Sequence, residues 1–267
     1  MAPRIMGILN VTPDSFSDGG EWFEFGEAVE HGRALVAEGA AILDVGGEST
    51  RPGAAPVPID EELRRVVPVI RALREAGAQL SVDTTKLTVA EAAVEAGATF
   101  VNDVTAFRHE PEIAGFVADR DCDCCLMHML GEPRTMQDDP RYDDVVDDVR
   151  AFLEERAEFA VAEGVREERI MVDPGIGFGK TLDHNLELLR RLDEIVALGF
   201  PVMVGTSRKS FLGRLTGRDD PHDRIAATVA TTVLALERGA TVFRVHDVAP
   251  TKDALTVATA TLRADGA

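Results

Sequence analysis

The stretch that decides the fold is QLSVDTTKLTVAEAAVEAGATFVND, residues 79–103. It begins with a short apolar segment, continues through an alanine-rich segment of helix-forming residues, and ends in a second short apolar segment. Gly97 lies just before that last segment, in the position where a glycine commonly ends a helix. This order predicts a strand, a helix and a parallel strand, which together make one βαβ unit.

The same alternation recurs along the whole chain. The predicted strands are Ile5 to Asn10, Ala41 to Gly46, Gln79 to Asp83, Thr99 to Asp103, Cys124 to Met129, Arg169 to Asp173, Pro201 to Thr206 and Thr241 to His246. The predicted helices lie near residues 25–38, 60–76, 86–96, 110–120, 142–163, 183–198, 222–238 and 251–263.

Eight βα units on 267 residues predict an α/β protein of one domain, residues 1–267, folded as a (β/α)₈ TIM barrel. The strands read as continuous apolar runs, as expected when both faces of a parallel sheet are buried. A doubly wound open sheet is the alternative.

Composition excludes several classes of protein. The formal net charge is −19, whereas a nucleic-acid groove needs clustered Lys and Arg. The longest apolar runs are far shorter than the roughly 20 residues that cross a bilayer. Residues 1–7 leave no space for a signal peptide before the first strand. We therefore expect a cytoplasmic protein with neither a membrane span nor a nucleic-acid partner.

The three cysteines, Cys122, Cys124 and Cys125, lie within four residues. They lack the separated second pair of ligands that a four-ligand zinc site needs. Free cysteine is among the residues most often buried, so we expect buried or partly buried, reduced thiols.

Polar residues stand at the ends of several predicted strands. Asp83, Asn102 and Asp173 each lie at or next to the end of a different strand. In a closed barrel these ends meet at one mouth, where barrel enzymes carry their active sites. Two carboxylates and an amide, together with a lysine, suit a flat heterocycle that presents several N–H donors and a carbonyl acceptor, such as a pterin.

Basic residues follow the last two strands. Lys209 stands in the segment Ser207–Ser210 after strand seven, and Arg244 and His246 lie on one face of strand eight. Loops after strands seven and eight commonly form the phosphate site of such barrels, which predicts an anionic substrate group here. The glycine-rich segment 173–180 lacks Walker spacing and is weak evidence by itself. His128, between two methionines at a strand end, is expected to be structural, with a place in the wall of the site as the alternative.

Two longer motifs are more specific. They are MGILNVTPDSFSDG at residues 6–19 and GESTRPG at residues 47–53. In this order they resemble the two signatures of the dihydropteroate synthase family. Further matches to that family are SVDT at 81–84, ND at 102–103, MHM at 127–129, PRTMQ at 133–137, DPG at 173–175, SRKS at 207–210 and RVHD at 244–247. The resemblance covers roughly residues 5–250.

This resemblance implies a transferase of folate biosynthesis that joins a dihydropterin diphosphate to p-aminobenzoate and releases diphosphate. The residues it assigns to the pterin are Asp83, Asn102, Asp173 and Lys209. Those it assigns to the diphosphate and its Mg²⁺ are Asn10, Thr50, Arg244 and His246, with Asn10 as the magnesium contact. Those it assigns to p-aminobenzoate are Arg51, Pro52, Phe178, Ser207 and Ser210. Asp14 would help to order loops 11–20 and 47–55 when they close over the site.

The implied mechanism uses no protein nucleophile. Mg²⁺, Arg244 and His246 would stabilise the leaving diphosphate, and Asp83 and Asp173 would stabilise the cation that forms. The resemblance also implies a homodimer and competition between sulfonamides and p-aminobenzoate.

Three other functions remain open at this point. A pterin-dependent methyltransferase would share the Asp and Asn contacts but would not need Thr50, Arg51, Arg244 and His246. A non-catalytic pterin-binding protein would keep the pocket and lose the loop chemistry. A metal hydrolase is disfavoured because paired His ligands at metal spacing are missing.

Overall fold

The computed structural model describes residues 2–12, 21–50 and 53–263 of the chain. In these residues it has eight strands that form a single sheet. The strands are β1 Arg4–Asn10, β2 Ile42–Gly46, β3 Gln79–Asp83, β4 Phe100–Asp103, β5 Asp123–Met127, β6 Ile170–Asp173, β7 Met203–Val204 and β8 Val242–Val245. Every pairing is parallel, and the order β6-β5-β4-β3-β2-β1-β8-β7 places β6 and β7 at the two ends.

The sheet closes on itself between these two ends. Val172 of β6 forms a parallel bridge with Val202, and the Val172 amide donates to the Pro201 carbonyl at 3.0 Å. This closure makes the sheet a barrel and confirms the predicted (β/α)₈ fold, because a doubly wound sheet would leave both edges unpaired.

Helices surround the barrel. They are α1 Glu21–Glu38, α2 Ile59–Leu73, α3 Leu87–Ala96, α4 Glu112–Arg120, α5 Val145–Ala162, α6 Leu182–Arg190, α7 Leu192–Val196, α8 Ser210–Thr216, α9 Ile225–Glu237 and α10 Val248–Arg263. The end of α3 is as predicted: Gly97 has φ 128° and its amide donates to the Ala93 and Val94 carbonyls. Among the helices that the structure describes, none combines the length and apolar character needed to cross a membrane.

Several element ends differ from the sequence prediction by a few residues, and three differences are larger. The segment 201–206 contributes only Met203–Val204 as strand, since Val202 makes an isolated bridge to the neighbouring strand. The predicted helix 183–198 is two helices that meet at Arg191, whose ψ of 28° leaves the helical range. Helix α8, which directly follows Lys209, was not predicted from the pattern.

The inward side chains of the barrel change character along the strands. Residues deep in the barrel are apolar and form one cluster: Met6, Ile42, Phe100, Cys125, Met171, Met203 and Val242. Two residues further along several of the same strands, the inward positions are polar, as with Asp44 after Ile42 and Asn102 after Phe100. Because inward positions recur every second residue, one short strand supplies both a barrel core and a polar mouth.

The cysteines lie in this framework as expected. Cys122, Cys124 and Cys125 are all free and buried, as predicted. Burial raises the pKa of each thiol above its ordinary value.

Candidate active site

A level of polar groups crosses the barrel at its carboxyl end. Strand pairing places Asn10 beside Gly46, Gly46 beside Asp83, and Asp83 beside Asn102. Gly46 has no side chain, so a gap remains between Asn10 and Asp83; a Cβ built there would lie 3.7 Å from Asn10 Oδ1. The sequence predicted convergence of Asp83 and Asn102, and the register brings Asn10 to the same level.

Asp44 organises this level, although it was not among the predicted site residues. Its buried carboxylate accepts hydrogen bonds from Ser81 Oγ at 2.6 Å, Asn102 Nδ2 at 3.0 Å and Arg244 Nε at 2.7 Å. A carboxylate inside an otherwise apolar, fully buried strand was the signal that could have identified it. Asp44 orients the Asn102 amide and holds the guanidinium of Arg244.

Arg244 also pairs with Asp83. Its Nη2 donates to Asp83 Oδ2 at 2.7 Å, so one guanidinium joins two carboxylates of different strands. Arg244 therefore lies in the same network as the predicted pterin residues Asp83 and Asn102. Burial would lower the pKa of Arg244, but Asp44 and Asp83 outweigh it and raise that pKa, so the guanidinium stays charged.

The carboxyl group of Asp83 has an unusual pKa. Burial raises the pKa of Asp83 to about 7. The charge of Arg244 opposes this rise, and the charge of Asp44 adds to it. Asp83 therefore changes charge near neutral pH, as is typical of groups at active sites.

A second set of residues lies at the ends of β6 and β7. Lys209 Nζ donates to the Ile176 carbonyl and lies 4.5 Å from the centre of the Phe178 ring, a cation–π distance. Burial lowers the pKa of Lys209 to about 8, with the charge of Asp173 opposing that shift. Burial also raises the pKa of Asp173, while Lys209 and the Gly175 amide, which donates to Oδ1 at 2.7 Å, lower it. Asp173 and Lys209, both assigned to the pterin by the family resemblance, thus influence each other's pKa.

Phe178 is held in place by its loop. The ring packs against Val104, Met127, Met129 and Met136. Lys180 is buried, and its Nζ donates to the Phe178 carbonyl at 3.0 Å and lies 2.9 Å from His128 Nδ1. Burial lowers the pKa of Lys180 well below its ordinary value. Burial also lowers the pKa of His128 to about 2, so His128 is neutral and holds the loop through Lys180, in line with its predicted structural role.

Ser207 and His246 form a third contact. Ser207 Oγ lies 2.9 Å from His246 Nδ1 and accepts the His246 backbone N–H at 3.1 Å. Ser207 is buried, and Ser210 is exposed at the first residue of α8. Thr50 is part-buried where the loop leaves β2.

Three predicted site residues cannot be located in this geometry. Asp14, Arg51 and Pro52 lie outside the described residues. The predictions for p-aminobenzoate therefore refer here to Phe178, Ser207 and Ser210 alone.

The mouth combines fixed hydrogen-bonding groups with cations. Asp83, Asn102 and Asp173 offer acceptors for N–H groups, and Lys209 and Arg244 supply positive charge. Such a mouth can bind the polar edge of a heterocycle and balance charge that develops beside it.

Comparisons with known proteins agree with this chemistry. The chain matches the family described as "Pterin binding enzyme" over residues 6–246. It is 47% identical over 245 residues to dihydropteroate synthase of Synechocystis sp., covering 91% of this chain and 85% of that protein. A structure of Xanthomonas albilineans dihydropteroate synthase with 4-aminobenzoic acid is 52% identical, with TM-score 0.92, covering 98% of this chain and 93% of the other. A structure of the same organism's enzyme with 7,8-dihydropteroate is 48% identical, with TM-score 0.89, covering 98% and 94%.

Proposed function

The chain belongs to the dihydropteroate synthase family of pterin-binding enzymes, and from this premise we propose that it joins (7,8-dihydropterin-6-yl)methyl diphosphate to p-aminobenzoate. The products are 7,8-dihydropteroate and diphosphate, and the pathway is folate biosynthesis. The observation that carries the proposal is the buried set Asp83, Asn102 and Asp173 at the mouth, beside Lys209, in a chain so similar to relatives solved with 4-aminobenzoic acid and 7,8-dihydropteroate.

The pterin lies on the polar level of the barrel. The carboxylates of Asp83 and Asp173 accept its N–H groups, and Lys209 donates to its carbonyl or ring nitrogen. Asp44 contributes indirectly, because it holds Asn102 and Arg244 in position. Fixed partners of this kind are stronger in a buried site than in water.

The diphosphate lies near Asn10, Thr50, Arg244 and His246. Mg²⁺ commonly keeps several waters and binds through one or two protein oxygens and the substrate phosphates. The single amide oxygen of Asn10 fits that pattern, and no group of three or more His, Cys, Asp or Glu in the described chain could hold a metal. Asn10 would hold the ion, which when bound would neutralise diphosphate charge. Arg244 and His246 share that work.

Bond formation needs no protein nucleophile. The bond between the methylene carbon and the diphosphate oxygen breaks, and the amine nitrogen of p-aminobenzoate then bonds to that carbon and loses a proton. Asp83 and Asp173 stabilise the positive charge on the pterin while the bonds exchange. Phe178 supplies an aromatic wall for the second substrate, and Ser207 supports His246.

A turnover assay tests the proposal. The purified protein with both substrates and Mg²⁺ should release diphosphate in step with 7,8-dihydropteroate, and omission of p-aminobenzoate should stop both. Pterin binding without any product would identify a non-catalytic pterin-binding protein. Methyl transfer from a pterin in place of diphosphate release would identify the methyltransferase alternative.

Sulfonamides resemble p-aminobenzoate in shape and amine placement, so we expect competitive inhibition. Their binding should need diphosphate or pterin diphosphate already in the site. Tight binding to the empty protein, or noncompetitive inhibition, would contradict the assignment of this pocket.

A homodimer and a cytoplasmic location are also part of the proposal. Val257 and Leu262 of α10, which are 67% and 45% exposed, are apolar side chains that a second copy would cover. Light scattering on the purified protein should give twice the monomer mass, and a monomer at micromolar concentration would contradict the dimer. Cell fractionation tests the location.

A further inference from the structure

The turn between β7 and α8 contains an arginine in a backbone conformation that favours glycine. The Lys209 amide donates to the Thr206 carbonyl at 3.2 Å, which closes a four-residue turn with Ser207 and Arg208 at its centre. Arg208, the third residue of this turn, has φ 58°. Turns of type II need a positive φ at the third residue and usually place glycine there. Because an arginine is strained in this conformation, the contacts around it must stabilise the turn.

Three residues hold Arg208 in this conformation. Its guanidinium binds the carboxylate of Asp247 with two hydrogen bonds, from Nε to Oδ2 at 3.0 Å and from Nη2 to Oδ1 at 2.6 Å. The Arg208 amide donates to Thr228 Oγ1 at 3.1 Å, and the Arg208 carbonyl accepts from Arg224 Nη1 at 2.9 Å. Thr228 and Arg224 are buried, in α9 and directly before it. The side chain and the backbone of Arg208 are therefore both fixed.

The ion pair of Arg208 and Asp247 joins two loops of the mouth. Arg208 directly follows Ser207, and Asp247 directly follows His246. Ser207 and His246 also contact each other, so the loops after β7 and β8 are joined at two consecutive positions. A bidentate arginine–carboxylate pair fixes orientation as well as distance. The two side chains are only 22% and 13% exposed, so water competes weakly for their hydrogen bonds.

The turn determines where the side chain of Lys209 begins. Lys209 directly follows Arg208 and directly precedes α8. Its Nζ donates to the Ile176 carbonyl, and the charges of Asp173 and Arg244 act on it. A shift of the turn would therefore move the Lys209 ammonium away from these groups and toward water.

We propose that Arg208 and Asp247 are positioning residues, whose ion pair holds the strained turn against the loop after β8 and thereby keeps Lys209 at the pterin and His246 beside the diphosphate. Neither Arg208 nor Asp247 needs to touch a substrate. The inference rests on the proposed function, because the substrate held by Lys209 and His246 is assigned there.

The test compares two variants that break the pair in different ways. Asp247→Asn removes the acid and leaves an arginine in the strained turn, whereas Arg208→Gly removes the guanidinium and supplies the residue that suits a positive φ. Asp121→Asn is the matched control. Asp121 also accepts two hydrogen bonds from one arginine, from Arg166 Nε at 2.9 Å and Nη2 at 2.5 Å, but it lies just before β5, at the end of the barrel opposite the mouth.

Kinetics with pterin diphosphate as the varied substrate give the first measurement. Asp247→Asn and Arg208→Gly should each lower kcat/KM about tenfold or more, since a hydrogen bond between charged groups is worth that much. The double variant should lose no more than about twofold beyond either single variant, because both changes break the same interaction. Asp121→Asn should match wild type.

The titration of Lys209 gives a second measurement, which needs no turnover. The chain has four lysines: Lys86, Lys180, Lys209 and Lys252. NMR of protein labelled at the lysine ε-carbons can follow each of them, and the Lys209 signal is the one that is missing in Lys209→Arg. Because burial lowers the pKa of Lys209 to about 8, loosening the turn should raise this pKa by about one unit or more. The signal of Lys252, which is exposed on α10, should be the same in every variant.

The titration separates positioning from stability. A general loss of stability would reduce the folded fraction without changing the pKa of Lys209 in the folded protein. An unchanged Lys209 titration in both variants, losses that add in the double variant, or wild-type activity in Arg208→Gly would overturn the inference. An equal loss in Asp121→Asn would overturn it as well.

Two further outcomes are decided by the same variants. If Asp247→Asn does not fold, Arg208→Gly decides alone under the same criteria, because glycine fits the turn. A wild-type protein that makes no dihydropteroate would overturn the proposed function instead. In that case the titration still decides whether the Arg208–Asp247 pair positions Lys209.

Discussion

Two arginines at opposite ends of the barrel each bind two aspartates, but in different surroundings. At the mouth, Arg244 donates to Asp44 and Asp83, both at 2.7 Å. At the floor, Arg169 donates to Asp121 at 2.8 Å and to Asp123 at 2.9 Å. Asp44 is fully buried, whereas the side chain of Asp121 is 55% exposed.

The surroundings decide what each network does. At the floor, Arg169 and Arg166 lower the pKa of Asp121, as an exposed ion pair should. At the mouth, burial raises the pKa of Asp83 in spite of Arg244. At the floor, the arginine–aspartate pair is therefore an exposed contact that adds little to stability. At the mouth, the same kind of pair is buried, and its carboxyl group has a raised pKa.

The largest expected effect comes from breaking the mouth pair. Arg244→Met should lower the free energy of unfolding by about 3–5 kcal/mol, because Asp44 is left buried without its cation. Turnover should fall below detection. Urea unfolding and the turnover assay measure the two effects. In the double variant Asp44→Asn with Arg244→Met, stability should partly return and turnover should not. Normal unfolding of Arg244→Met would contradict the mouth description.

Changes to Asp173 and Lys209, at the ends of β6 and β7, should weaken pterin binding and leave folding intact. Lys209→Met and Asp173→Asn should each weaken pterin binding by roughly 10- to 100-fold, since each loses a charged hydrogen bond at the mouth and not in the core. Calorimetry with a pterin ligand measures this, and circular dichroism should stay normal. Lys252→Met is the control. Unchanged pterin affinity in a folded variant would remove the assignment.

The pH dependence should reveal both perturbed groups. As pH rises through about 7, Asp83 becomes the carboxylate that accepts pterin N–H groups, so kcat/KM should rise. As pH rises through about 8, Lys209 loses its positive charge, so kcat/KM should fall. The expected profile is a narrow bell.

Two variants assign the limbs of that bell. In Lys209→Arg, kcat/KM should no longer fall at high pH, because a guanidinium stays charged. In Asp83→Asn, the activity that remains should no longer rise with pH. If kcat/KM of the wild type does not change between about pH 6 and about pH 9, the range in which these groups should titrate, both assignments are contradicted.

A smaller effect is expected where one side chain supports another. Ser207→Ala removes the hydroxyl that contacts His246 Nδ1 and the His246 backbone N–H. One neutral hydrogen bond corresponds to about 2- to 10-fold in kcat/KM. The loss should appear with pterin diphosphate as the varied substrate. A change confined to KM for p-aminobenzoate would show that Ser207 lines that subsite directly, as the family resemblance implies.

The smallest effect is expected at the floor. Arg169→Met should leave turnover within about twofold and shift Tm by roughly 1–3 °C, because water solvates Asp121 and Arg166 still pairs with it. Thermal unfolding and the turnover assay measure this. A loss of turnover as large as that of Arg244→Met would mean that the two ends of the barrel are not distinct.

Much of this protein could be derived from its sequence. Short apolar runs alternating with amphipathic segments predicted the barrel, because periodicity and the glycines that end helices depend only on residues close together in the sequence. The sequence predicted that Asp83, Asn102 and Asp173 converge, because a closed barrel brings strand ends together whatever the loops do.

Other features depended on the tertiary structure. In the sequence, Asp44 is a single polar residue in an apolar strand. Its role depends on Arg244, which is 200 residues away in the chain and binds it. The contacts of Lys86 with Glu48 and Val57 join residues that are 38 and 29 positions apart in the chain. The sequence by itself determined the eightfold alternation of strands and helices and placed Asp83, Asn102 and Asp173 at strand ends, because those follow from local pattern and strand order. Only the folded barrel decided which charges meet, because partner choice and pKa depend on distance and burial between segments that are remote in the chain.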